Sequence, residues 1–177
     1  MKVTVITGSG HKNGTSALLA DSFIKGATEA GHEIYRYDAA FEEVHPCMAC
    51  DRCHRTGKCV YGGSYEKLIP HLKESDVLVF VTPVYYFGMT AALKAVVDRF
   101  HQMGGFPQGE RKAILMATAW DSGKQVMEPL IAHYRAITDY LGWTDAGMVL
   151  ALGAGTRTMI ERSPYPDQAY RLGKNLR

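Results

Sequence analysis

The chain has 177 residues, 46% of them hydrophobic and 21% charged, with a formal net charge of +2. That length and apolar content support one buried core, so a single domain over residues 1–177 is the expectation. The mild charge, with no stretch interleaving basic and aromatic residues along one face, excludes nucleic acid as the expected partner.

The opening MKVTVITGSG carries an apolar run too brief for a signal peptide, and no later stretch approaches a span of roughly 18 uninterrupted apolar residues. No membrane association is expected, and a cytoplasmic location is. In chain order, residues 2–7 read as a strand, 15–30 as a helix ended by Gly31, and 33–37 as a second strand. A cysteine-rich loop at 41–63 follows, then a helix over 64–72 capped by Ser64, and a strand over 76–82. A helix over 90–103, a strand over 111–118, a helix over 125–141 with Pro129 near its start, and a strand over 143–150 complete the alternation. Ser163 and Pro164 open a last helix as N-cap and N1, running to 172.

Strands alternating with helices predict a parallel sheet covered on both faces. Five strands are too few for an eightfold barrel, so an open, doubly wound three-layer α/β sandwich fits. Ligands of such sheets bind beyond the carboxyl ends of the strands, which directs attention to the loops after the first, third and fourth.

The first loop, TGSGHKNGTSALL, leads small and hydroxyl-bearing residues into a helix N-terminus, a ready anion site. Neither the dinucleotide spacing nor the P-loop pattern is met, because Asn13 stands where the third glycine belongs and no Gly-Lys-Ser/Thr follows. The loop is similar to the hydroxyl-rich loop of flavodoxin-like proteins, which wraps the single phosphate of FMN. The second loop, TPVYYFG, offers the flat faces of Tyr85, Tyr86 and Phe87 with Gly88 beside them, as an isoalloxazine edge requires. In the third, Thr118, Ala119 and Trp120 stand where the fourth strand ends; Trp120 borders the ring or an interface.

All four cysteines lie in CMACDRCHRTGKC, as C-x2-C-x2-C-x5-C. Cys47, Cys50, Cys53 and Cys59 are candidate metal ligands, and the spacing permits a [4Fe-4S] cluster. Redox-active thiols and a zinc site remain alternatives. Arg52, His54, Arg55 and Lys58 are near enough in sequence to offset thiolate charge. No side chain is required as acid, base or nucleophile, and His101 and His133 read as helix-surface or satisfied core residues.

In this order the three segments GSGHKNGTS, CMACDRCHRTGKC and TPVYYFGMTAALKAVVDR resemble the NADPH-dependent FMN reductase superfamily, and within it the iron-sulfur flavoprotein branch, over about residues 1–150. The resemblance implies a flavodoxin-like five-stranded parallel sheet of order 2-1-3-4-5, one FMN per subunit, NAD(P)H as electron donor, and a homodimer or homotetramer. It places the phosphate at Ser9, His11, Asn13, Gly14, Thr15 and Ser16, and the ring at Pro83, Val84, Tyr85, Tyr86, Phe87 and Gly88. Where members often have Pro and Arg, this chain has Gly10 and His11, with Lys12 as the compensating cation. The paired aspartates that many relatives carry after the fourth cysteine are replaced by VYGGSYEKL. The implied function is an FMN-dependent oxidoreductase passing electrons from NAD(P)H to a flavin or quinone. The alternatives are an electron-transfer flavoprotein linked to ferredoxin or another redox partner, and a zinc-stapled non-catalytic binding module.

Overall fold

The computed structural model describes residues 1–103 and 110–177. Its strands are β1 (Lys2–Thr7), β2 (Glu33–Asp38), β3 (Val77–Pro83), β4 (Lys112–Thr118) and β5 (Thr144–Ala151). They form one parallel sheet in the order β2-β1-β3-β4-β5. The helices are α1 (Thr15–Glu29), α2 (Arg52–Thr56), α3 (Tyr65–Glu74), α4 (Ala91–Asp98), α5 (Glu128–Leu141), α6 (Arg157–Glu161) and α7 (Tyr165–Lys174). The expected flavodoxin-like sandwich and strand order are found.

The two-residue period of the strands sorts the core into two layers. Val77, Val79 and Val81 of β3 and Ile114 and Met116 of β4 pack with Leu19, Phe23 and Ala169 on the α1/α7 face. Leu78, Phe80 and Leu115 pack with Leu72, Leu93, Leu130 and Tyr134 on the α3/α4/α5 face. β3 is buried on both sides from Val77 through Thr82, which is why its sequence is an unbroken apolar run rather than an alternation. α7 lies backbone-close on α1: a Cβ on Gly26 would fall 2.1 Å from the Tyr170 carbonyl oxygen, and one on Gly173 2.2 Å from that of Phe23.

Several boundaries depart from the sequence reading. The helix expected over 90–103 is α-helical only to Asp98, and Arg99–Met103 tightens into a 3₁₀ turn. The helix expected from 125 starts at Glu128, after a 3₁₀ turn over Lys124–Val126, which puts Pro129 in the first turn where its missing N–H removes no bond. Ser64 does not cap α3 with its side chain; its hydroxyl donates to the Glu43 carbonyl at 3.1 Å. At α7 the N-cap residue is Pro164, one later than expected, and Ser163 Oγ accepts the Tyr165 N–H at 3.3 Å. α2 and α6, each of five residues, are too short to leave a period in the sequence.

Candidate functional site

At the carboxyl end of the sheet, the loops after β1, β3, β4 and β5 enclose a cleft of about 330 Å³. That volume lies within the roughly 300–1,000 Å³ of small-molecule and cofactor sites. Ten of the fifteen residues expected to hold a cofactor line it: Ser9, His11, Gly14 and Thr15 from the first loop, Pro83, Val84 and Tyr85 from the second, and Thr118, Ala119 and Trp120 from the third. Asn13, Ser16, Tyr86, Phe87 and Gly88 do not.

The first loop ends in the bare N-terminus of α1. Gly14 caps it without a side chain, no acidic residue stands in its first turn, and the first intrahelical bond is Leu18 N–H to Gly14 O at 3.2 Å. The amides of Thr15, Ser16 and Ala17 therefore lack intrahelical partners, as the first turn of any helix does, and aim the positive end of the helix dipole at the cleft. Ser16 is buried beneath, its hydroxyl 2.9 Å from Thr118 Oγ1, while the Thr15 hydroxyl donates to the same oxygen at 3.1 Å. These two bonds tie the first loop to the end of β4.

Lys12, expected as the compensating cation, does not line this cleft. Its ammonium sits over the Phe41 ring, 4.9 Å from the centroid, and lines an adjoining cavity with Ser9, His11, Arg36 and Asp38. The charge at the cleft comes from Arg157, at the start of α6, whose Nη1 lies 3.4 Å from Gly14 O and 3.5 Å from Asn13 O. Thr156 fixes it there by capping α6, accepting the Met159 N–H at 3.3 Å. The sequence reading missed this residue with the rest of the fifth loop; its only signal was a small-residue run, Gly153 to Gly155, leading into a Thr cap.

The second loop is a two-residue hairpin. Tyr85 and Gly88 exchange both backbone bonds at 3.1 Å, and the turn residues Tyr86 and Phe87 have φ of 47° and 66°. Two left-handed residues in a two-residue loop make a type I′ turn, which favours Asn-Gly; aromatic residues there cost roughly 1–2 kcal/mol each. Gly88 does not take the positive φ, and its own amide is engaged by the Tyr85 carbonyl. The tip amides of Tyr86 and Phe87 have no backbone partner among the described residues, and both rings stand in solvent, Tyr86 fully exposed. Trp120, 73% exposed, lies against Gly155, where a Cβ would fall 2.0 Å from the indole.

A second cleft gathers Cys47, Cys50, Cys53 and Cys59 with Arg99, His101 and Gln102. Cys50 is exposed and the others half-buried. Ala49 and Asp51 take left-handed backbone, and the Ala49 N–H donates to Cys47 Sγ at 3.4 Å. Burial raises the Cys53 thiol pKa, against backbone hydrogen bonds that lower it. Arg52, His54, Arg55 and Lys58 are all exposed and none lines the cleft. His101 Nε2 lies 2.8 Å from Asp51 Oδ1, a contact that holds the Asp51 carboxyl below the usual range. With His54 these two form the described group whose ligand atoms all fall within 4.8 Å of one another, and no cysteine belongs to it. His133 is half-buried on α5.

The model of the NADPH-dependent FMN reductase family matches residues 1–156. The chain belongs to that family. It is 33% identical over 99 residues to the iron-sulfur flavoprotein MJ1083 of Methanocaldococcus jannaschii, covering 56% of this chain and 51% of that protein. The chain thus matches about half the length of that relative. It is 27% identical over 161 residues to Bacillus subtilis YwqN, whose name assigns it provisionally to the NAD(P)H-dependent FMN-containing oxidoreductases, with 86% of each chain covered. The fold is that of the NAD(P)H:quinone oxidoreductase of Methanothermobacter marburgensis, at a TM-score of 0.74 and 19% identity over 98% of this chain and 94% of that one. Among the described residues, no helix is long and apolar enough to cross a membrane.

Proposed function

We propose that the protein is an FMN-dependent NAD(P)H oxidoreductase that passes electrons to a flavin or quinone, and that it works in the cytoplasm as a homodimer or homotetramer. The observation that carries this reading is the two-ended cleft: an anion site of α1 amides and Arg157 at one end, the flat side chains of Tyr85 and Trp120 at the other. FMN has the same two ends. When bound, it supplies the electron-accepting and electron-donating chemistry that no side chain here provides.

The chain's own groups bind and orient. The Thr15, Ser16 and Ala17 amides, the Ser9 hydroxyl and the Arg157 guanidinium would hold the phosphate. Tyr85 and Trp120 would flank the ring and keep water from it. The tip amides of Tyr86 and Phe87, just outside the cleft, would stabilise negative charge at the ring edge where the ring extends past Tyr85.

The four cysteines favour a second electron carrier, a [4Fe-4S] cluster, with ferredoxin or another one-electron partner in place of, or beside, the quinone. The donor set fits: four thiols face one cleft beside a buried guanidinium. The cleft has room for only about 20 Å³, so a cubane would be seated by displacement of the exposed loop. Thiolates around one tetrahedral zinc, at about 2.3 Å from it, stand roughly 3.8 Å apart. No cysteine belongs to the described group within 4.8 Å, so zinc, like the cubane, would be seated only with movement of the exposed loop.

Anaerobic purification with flavin, iron and sulfide analysis per chain tests both readings. One FMN per chain is expected, with four irons and four sulfides for the cluster. Flavin without iron leaves the plain reductase standing, and a colourless protein overturns the proposal.

A further inference from the structure

The loop that carries the cysteines has a neck. At its outer rung the Glu43 carbonyl accepts both the Ser64 N–H at 3.3 Å and the Ser64 hydroxyl at 3.1 Å. At its inner rung the carbonyls of His45 and Gly62 come together on one guanidinium, that of Arg99, at 3.5 and 3.2 Å. His45 is two residues before the first cysteine and Gly62 three after the last. Whatever holds that rung holds the ends of the cysteine segment.

Arg99 is 1% exposed. A charge so buried requires partners, and those of Arg99 are mostly neutral. Its Nη2 and Nε donate to Gln102 Oε1 at 2.8 and 3.3 Å, and its plane lies 4.5 Å from the centroid of the Tyr65 ring. The carboxylate in reach is Glu66, 3.7 Å away on a partly solvated side chain that already accepts a bond from Gln102. One buried positive charge therefore lines the cleft that four sulfur atoms line. A stability role alone does not call for a charge there, because apolar replacements of buried ions are often neutral or stabilising.

We infer that Arg99 is the positioning residue of the cysteine site: its guanidinium closes the neck on the His45 and Gly62 carbonyls and sets a fixed positive charge beside whatever anionic group the thiolates hold. This rests on the cysteine cleft being a ligand site, and its first consequence does not depend on iron. In the metal-free protein the closed neck keeps Cys47, Cys53 and Cys59 half-buried. In the loaded protein the charge favours the more negative, reduced state of the cluster, since net charge and hydrogen bonding set such potentials.

Arg99→Lys and Arg99→Gln separate the two effects. Lysine keeps the charge, but its single ammonium cannot span both carbonyls and Gln102; glutamine loses both functions. Alkylation of the metal-free protein with iodoacetamide at one fixed pH, read cysteine by cysteine by mass spectrometry, tests the neck. Both variants are expected to speed labelling of Cys47, Cys53 and Cys59 about tenfold, the factor that one lost charge-assisted hydrogen bond is worth, with Cys50 unchanged within about twofold. Unchanged relative rates in Arg99→Lys overturn the clasp, whether or not Arg99→Gln folds and whether or not iron is ever found. Redox titration of the iron-loaded protein tests the charge: the midpoint of Arg99→Gln is expected below that of the wild type, and that of Arg99→Lys close to it. Equal midpoints in all three overturn the electrostatic part, while absence of iron bears on the cluster reading alone.

Discussion

The Thr90 hydroxyl donates to the Gly8 carbonyl at 2.8 Å, and a Cβ on Gly8 would lie 2.3 Å from that hydroxyl. Thr90 also caps α4 through the Leu93 N–H at 3.3 Å, and its own N–H reaches Thr82 Oγ1 at 3.1 Å. One buried threonine thus joins the loop after β1 to the loop after β3, the two that would hold opposite ends of a flavin.

Thr90→Val keeps the volume but removes the cap and leaves the Gly8 carbonyl without that donor. We expect a loss of about 1–2 kcal/mol in stability and FMN affinity several-fold weaker. Thermal melts and fluorescence titration with FMN measure the two; unchanged values for both would mean that the two loops are set independently of Thr90.

Arg157 gives a sharper test, because it lies at the phosphate end alone. Arg157→Ala should weaken FMN binding about tenfold or more, the worth of a charge-assisted bond, and leave riboflavin binding nearly unchanged. Equal losses for the two flavins would move Arg157 from phosphate binding to general support of α6.

Gly155→Ala addresses the ring end. The new methyl would overlap the Trp120 indole, which must swing away because the clash is with a rigid ring. With the fold intact by circular dichroism, the fluorescence of bound flavin should change and turnover should fall. Retention of both would show that Trp120 does not flank the ring.

Acid sensitivity is expected at His133. Burial first, and then the Lys94 charge, hold its pKa below the ordinary 6.5. As pH falls through 6.5 the unfolded chain takes up a proton that the folded chain resists, so this group subtracts stability below that value and nothing above it. His133→Gln should flatten the decline of denaturant midpoint on the acid side; an unaltered slope would assign that decline to other groups.

The sheet was legible because burial on two faces writes itself into unbroken apolar runs, as in Val77 to Val81, and because Gly31 and Gly142 end helices where expected. The cleft was legible where it uses strand-end loops next to a helix start, as at Gly14 and Thr15. Three features were not. Arg157 reaches the first loop from beyond the fifth strand, through a five-residue helix with no periodic signal. Lys12 lies in the first loop in sequence, but its ammonium lies over the Phe41 ring outside the cleft. Arg99 leaves no signal in the sequence, since its burial arises from a loop neck formed by residues far upstream.

The central claim is that this cleft holds FMN reducible by a nicotinamide nucleotide. Anaerobic addition of NADPH, and separately of NADH, to the FMN-loaded protein tests it most directly, with a quinone added afterwards. At least one nucleotide is expected to bleach the flavin absorbance, and the quinone to restore it over repeated turnovers. Flavin that dithionite bleaches but neither nucleotide does would contradict it.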